Sequence, residues 1–311
     1  MKSRLHAIAL FAMSFLFVGL ANASPTEQAN LMPAMTKMVI QIDLDKLKST
    51  TLFKTLIASN PAYDAAMTQF TSQSGIDAKK IKMVTVGFFD LPAKNPMAIL
   101  LDVPFPAQPK GTIAKKKLGK QTYYQINGGA IAAPYKGQVL MTEENLLKHF
   151  VGKKPGLKGA MKSLSKSRTQ GAQVWVFGTP PKNIANKAAQ GVPDINKLQA
   201  SINFATGINV AVDLETEAKF AKEAVTKFEA EKAKMAQNPM VAMMGLGNMI
   251  NKMALTAKGK DLSLKLNLND AEVNQLVNMV KMMIQQQAGA TPGGAPQPPM
   301  MPAPVTPPAT K

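Results

Sequence analysis

Lys37-Met-Val-Ile-Gln-Ile-Asp43 runs directly into Leu44-Asp45, and that junction decides the fold class. The first seven residues are rich in branched aliphatic side chains and partly alternate, as a half-buried strand does. Beyond Asp43 the period changes: Leu44, Leu47, Leu52, Leu56 and Ile57 fall near helical spacing. Strand followed at once by helix recurs at Val210-Ala-Val-Asp-Leu214. Working outward from the first junction, Pro61 opens a helix through Tyr63, Ala66, Met67 and Phe70, and Gly75 ends it. Strands are expected near 82–89 and 97–103, then a lysine-rich linker, Pro104 to Lys120, with room for one helical turn. Strands at 122–126 and 130–134 flank Asn127-Gly128-Gly129, a tight-turn signal. A further strand at 138–141 leads to a helix over 143–151, ended by Gly152.

The second half restarts with a strand, Gln173 to Phe177, and a short helix near 183–190. Strands follow at 198–204 and 208–213, then a long helix from Glu215 to Gln237 and another from Pro239 to Met253. A hairpin forms around Lys258-Gly259-Lys260, and Asn269 caps the last helix with Glu272 three residues on, the pattern of a capping box. The expected class is α+β: two similar mixed strand and helix repeats, 34–165 and 166–287, with largely antiparallel sheets. A polar lead-in, 24–33, precedes them, and a disordered proline-rich tail, 288–311, follows.

Gln138-Val-Leu-Met-Thr142 running into Glu143, together with Val212-Asp-Leu-Glu215, carries a family likeness. In layout the chain resembles a loose group of uncharacterised exported bacterial proteins with two tandem strand-and-helix repeats. The resemblance implies export and a repeat architecture, and it brings no catalytic motif. Members of that group carry a lipoprotein cysteine at the mature start, where Ser24 stands in this sequence.

Residues 1–23 have the three-part layout of a secretory signal: Lys2 and Arg4, an apolar run from Ala7 to Leu20, then Ala21-Asn22-Ala23. The run of 14 residues is shorter than the roughly 20 that span a bilayer, so no membrane anchor is expected after cleavage. Cysteine is absent, so stability must come from packing, and thiolate chemistry, cysteine metal sites and lipoprotein anchoring drop out. A short signal and folding without disulfides favour a Gram-negative periplasm, or secretion, over a eukaryotic route.

Beyond the signal, 35 basic residues stand against 19 acidic ones. Between Asp102 and Asp194 fifteen lysines and arginines face two acids, Glu143 and Glu144. A block so one-sided attracts polyanions or an anionic membrane surface. The candidate anion-binding residues are Lys115, Lys116, Lys117, Lys120, Lys153, Lys154, Lys158 and Lys162. Sequence-specific nucleic acid is argued against, because Arg168 is the one arginine after the signal and aromatics make up 6% of the chain. Anionic lipid, glycolipid or another envelope protein remains as partner, and a merely solvated lysine surface is the plain alternative.

Chemistry is sparse. His149 is the single histidine beyond the signal, which removes triads and histidine metal sites. Ser163-Leu-Ser-Lys166 matches S-x-x-K but lacks the S-D-N and K-T-G companions of a serine hydrolase. The acid groups Asp43/Asp45, Glu143/Glu144 and Asp213/Glu215/Glu217 sit where strands meet helices, a position that capping and the helix dipole explain. No catalytic residue, metal site or cofactor is assigned, and a hydrolase is the less favoured reading. Met240, Met243, Met244, Met249 and Met253 crowd one expected helix. They fit a core filling, an apolar surface for a ligand or partner, or thioether copper ligands lacking histidine or cysteine support. The sequence therefore reads as a non-enzymatic exported envelope protein that binds anionic material through lysines, with the methionine surface as the alternative.

Overall fold

The computed structural model describes residues 25–58, 60, 62–91, 96–105, 114–126, 129–152, 155–167, 171–181, 194–239, 241 and 246–289. The expected signal segment, the short helix near 183–190 and the residues beyond 289 lie outside the described residues. The class is α+β, built on a large antiparallel sheet.

In chain order the first half holds α1 (Pro25–Ala29), β1 (Thr36–Asp43), α2 (Leu44–Ser49), α3 (Thr51–Ala58), α4 (Ala62–Ser74), β2 (Met83–Phe89) and β3 (Met97–Asp102). It continues with β4 (Ala114–Leu118), β5 (Gln121–Ile126), β6 (Gly129–Tyr135), β7 (Gln138–Glu143), a 3-10 turn (Glu144–His149) and α5 (Gly159–Lys166). The second half holds β8 (Val174–Gly178), β9 (Lys197–Asn203), β10 (Ile208–Glu215), α6 (Ala218–Gln237), α7 (Gly247–Asn251), β11 (Ala254–Lys258), β12 (Asp261–Leu268) and α8 (Asp270–Gly289).

The twelve strands among the described residues join one sheet in the order β11-β12-β10-β9-β8-β1-β2-β3-β7-β6-β5-β4. Outward from β1 it runs β2, β3, β7, β6; outward from β8 it runs β9, β10, β12, β11. Each half thus lays three strands side by side, then adds its last strand before the one that precedes it. β1 and β8 pair antiparallel where the halves meet, Ile40 opposite Val176.

Strand alternation sends side chains to two faces. On the front, Ile42, Val84, Ile99, Leu101, Ile131 and Val139 pack under Leu44, Leu47, Phe53, Met67 and Phe70 of α2 to α4. On the back, Val39, Phe89, Leu100, Leu140, Trp175 and Phe177 pack under Ala29, Met32, Leu146, Leu147, Phe150 and Leu157. A third, smaller cluster lies over the second half: Met249, Leu268, Val273 and Val277, with Ile208 and Leu266 half-buried against them.

Three local differences from the sequence expectation have physical causes. The helical stretch after Asp43 divides at Thr50, whose extended backbone ends α2. Its hydroxyl donates to the Leu47 carbonyl (2.6 Å) and accepts from the Phe53 amide (3.3 Å), so one residue caps both helices. The expected lead-in carries α1, held down from the back of the sheet by a buried polar chain. Gln28 donates to Gln138 Oε1 (2.6 Å) and accepts from Thr85 (2.8 Å), which accepts from Gln41 (3.0 Å). Bonded through both its nitrogen and its oxygen, the buried Gln28 amide avoids the penalty of burial without a partner. The third difference is the lysine-rich linker, whose described end forms strand β4, while 106–113 lie outside the described residues. Pairing with β5 satisfies one side of its backbone, and its position at the sheet edge lets three consecutive lysines reach water on both faces.

Candidate functional site

The β4–β5 hairpin brings Lys115, Lys116 and Lys117 to the outer edge of the sheet, and Lys120 sits in its turn; all four are exposed. The turn follows from Gly119, whose φ of +57° falls in the left-handed region that favours glycine. Register then divides the lysines between the faces. Lys116 stands opposite Tyr123, and Lys115 and Lys117 stand opposite Tyr124 and Thr122. Tyr123 belongs to the back core, so Lys116 points to the back and Lys115 and Lys117 to the front.

On the back, Lys116 Nζ lies 3.0 Å from Glu144 Oε1. The Tyr123 hydroxyl donates to the same oxygen (2.6 Å), and Gln125 donates to Oε2 (2.8 Å). The Tyr123 bond, then the Lys116 bond, hold the Glu144 carboxyl below the usual carboxylate range. The same bond, with burial and the carboxylate charge, raises the Tyr123 phenol. On the front, Phe105 stacks on Tyr124 with centroids 5.8 Å apart and planes 26° from parallel, both rings half-buried. These aromatic and acidic partners were missed in the sequence; hairpin parity around Gly119 was the signal that could have paired Lys116 with Tyr123.

The other candidates are placed elsewhere. Lys158 and Lys162 are exposed at α5, which packs over β8 and β1 on the back. That is six to seven strands from β4, roughly 30 Å at the usual strand spacing. Lys153 and Lys154 lie outside the described residues, as do Met240, Met243 and Met244. Met249 is core, 6% exposed beneath α8, and Met253 is half-buried, with its carbonyl accepting from Lys232 (2.7 Å). Burial gives Met249 the packing role and removes it from any apolar surface.

The residues weighed for chemistry do not converge. Ser163 and Lys166 are both exposed on α5. Asp43 caps α2 by accepting from the Lys46 amide (3.2 Å) and pairs with the Lys46 ammonium (3.0 Å). Asp213 accepts from Ser263 across β10 and β12. Among the described residues no three His, Asp or Glu side chains are grouped to hold a metal ion, and no helix is long and apolar enough to cross a membrane.

No family model and no curated protein matches the chain. Solved structures of TP0453 are similar over most of the length. Its crystal form I aligns with a TM-score of 0.43 and 9% identity, over 85% of this chain and 98% of that one. Form III gives 0.46 and 8%, over 84% and 99%. Form IV gives 0.45 and 10%, over 84% and 97%. At this distance no residue and no role is carried over.

Proposed function

We propose that this is an exported, non-enzymatic envelope protein that binds anionic envelope material, such as anionic phospholipid or phosphorylated glycolipid, through the lysine-rich β4–β5 hairpin. Residues 1–23 direct export, and the halves 34–165 and 166–287 are a tandem duplication, a reading supported by their common outward strand order. The observation that carries the binding function is the run Lys115-Lys116-Lys117 on an edge strand, exposed with Lys120 at one end of the sheet. Ammonium groups act as point charges with little geometric demand, so they suit a diffuse phosphate surface better than a single shaped ligand. Attraction of this kind is long-ranged and screened within about 10 Å at 0.1 M salt.

Co-sedimentation with anionic and neutral vesicles across a salt series tests the reading. Binding is expected on anionic vesicles alone, falling steeply with salt. Replacing Lys115, Lys116, Lys117 and Lys120 with glutamine is expected to weaken it at least about twentyfold with the fold intact, at about 1 kcal/mol for each unpaired lysine. Equal binding to neutral vesicles, or insensitivity to salt, would overturn the proposal.

A further inference from the structure

We infer that the hairpin meets an anionic bilayer with its front side only, through Lys115, opposite Tyr124 of the Phe105–Tyr124 pair, and Lys117, two residues along the same face. This rests on the function proposed above and assigns its contact surface. Three observations carry it. First, the lysine on the back of the hairpin is paired: Lys116 lies against Glu144, which also accepts from Tyr123 and Gln125. Second, the two front lysines carry no such partner acid in their register. They stand opposite Tyr124 and Thr122, two residues apart on one face and so about 7 Å from each other. That separation suits neighbouring phosphate headgroups.

Third, the front lysines sit beside a stacked aromatic pair, half-buried and held at the rim of the front core. Lysine stems lie along apolar surface while their heads reach water, and a phenol ring combines an apolar body with a polar tip. Cations interleaved with such rings match the headgroup layer of a membrane, where phosphate meets the first acyl carbons. Position agrees with this, because β4 is the last strand of the sheet and its hairpin can touch a plane.

The experiment compares two variants of equal net charge in the full chain, Lys115→Gln and Lys116→Gln. The probe is vesicles of mixed phosphatidylglycerol and phosphatidylcholine. Lys115→Gln is expected to weaken binding about fivefold, since each lysine near such a surface contributes about 1 kcal/mol; Lys116→Gln is expected to change it less than twofold. Tyr124→Leu, which keeps the apolar packing, is expected to weaken binding two- to threefold without changing the salt slope. Equal losses for the two lysine variants would overturn the one-sided contact while leaving the anionic function standing. So would full competition by millimolar glucose 6-phosphate, which would make the site a soluble sugar-phosphate site. Failure of the unmodified protein to bind anionic vesicles would instead remove the function itself. Thermal melts of each variant confirm that folding is retained.

Discussion

The strands β1 to β3 and β7 are largely buried on both faces, whereas β9 and β10 are half-buried along most of their length and β11 and β12 are mostly half-buried or exposed. Leu100, Leu140 and Ala132 are completely buried in the first half. In the second, Leu198, Ile202, Val210, Val212, Leu214 and Leu264 share the front face by register, and all are half-buried. These front side chains are as aliphatic as those of the first half, while the back of the same strands is polar at Gln199, Asn203, Asp213, Lys265 and Asn267; hydropathy opens the back and does not explain the front. Cover does: α2 to α4 lie over the front of the first half, and α1, the 3-10 turn and α5 over its back. In the second half α7 and α8 close the end near Leu268, and α6 packs on β11 and the edge of β12. Similar strand order can therefore support unequal cores.

The largest effect that separates the halves is a pair of like substitutions. Leu140→Ala on β7 removes a side chain with no exposed area, and a destabilisation of about 3–4 kcal/mol is expected. Leu264→Ala on β12 removes the same atoms from a half-buried position, and about 1–2 kcal/mol is expected. Urea unfolding at constant m-value reads both. Equal losses would break the comparison and show that β12 is as tightly packed as β7.

Much of the chain path was legible in the sequence, because β-branched alternation and tight-turn residues report local structure directly. β1, β2, β3, β8 and the β11–β12 hairpin fall where 37–43, 82–89, 97–103, 173–177 and 253–268 were expected. The strand β4 was not legible, since three lysines are poor strand formers and only the edge position, a property of the whole sheet, makes them acceptable. The split at Thr50 was hidden because leucine spacing continues across it. Of the site, the lysines were readable from charge alone. The neutralisation of Lys116 was not, because Glu144 is 28 residues away and meets it only through the β6–β7 connection.

Acid should act at the far end of each half, through Glu144 in the first and Glu272 in the second. Both carboxyls are held below the usual range, Glu144 mainly by Tyr123 and then Lys116, Glu272 mainly by Lys252 and then the Asn269 amide. A depressed folded pKa means the stabilisation is complete above the unfolded value, about 4.3, and is lost as pH falls through the lower folded value. Hydrogen exchange below pH 4 should therefore show β4 loosening in the first half and the start of α8 loosening in the second. Glu144→Gln should remove the acid response of β4 and leave that of α8. A response of both regions to either single substitution would show that the ends are coupled through the sheet, against the separation argued above.

The smallest expected effect probes what cover contributes to the weaker half. Asn269 Oδ1 accepts from the Glu272 amide (3.0 Å) while Glu272 Oε2 accepts from the Asn269 amide (2.9 Å), a reciprocal cap that starts α8. One turn on, Val273 and Val277 bury themselves over Leu268. Asn269→Ala removes one of the two bonds and should cost about 1 kcal/mol. Because α8 closes only the Leu268 end, the loss should be local: amides of the first α8 turn exchange faster while those of β1 to β3 do not. A loss near that of Leu140→Ala would mean that the second half depends on this one helix as the first half depends on its whole core. No loss at all would mean that Val273 and Val277 fix the helix by packing alone, and that the cap matters only before the sheet has formed.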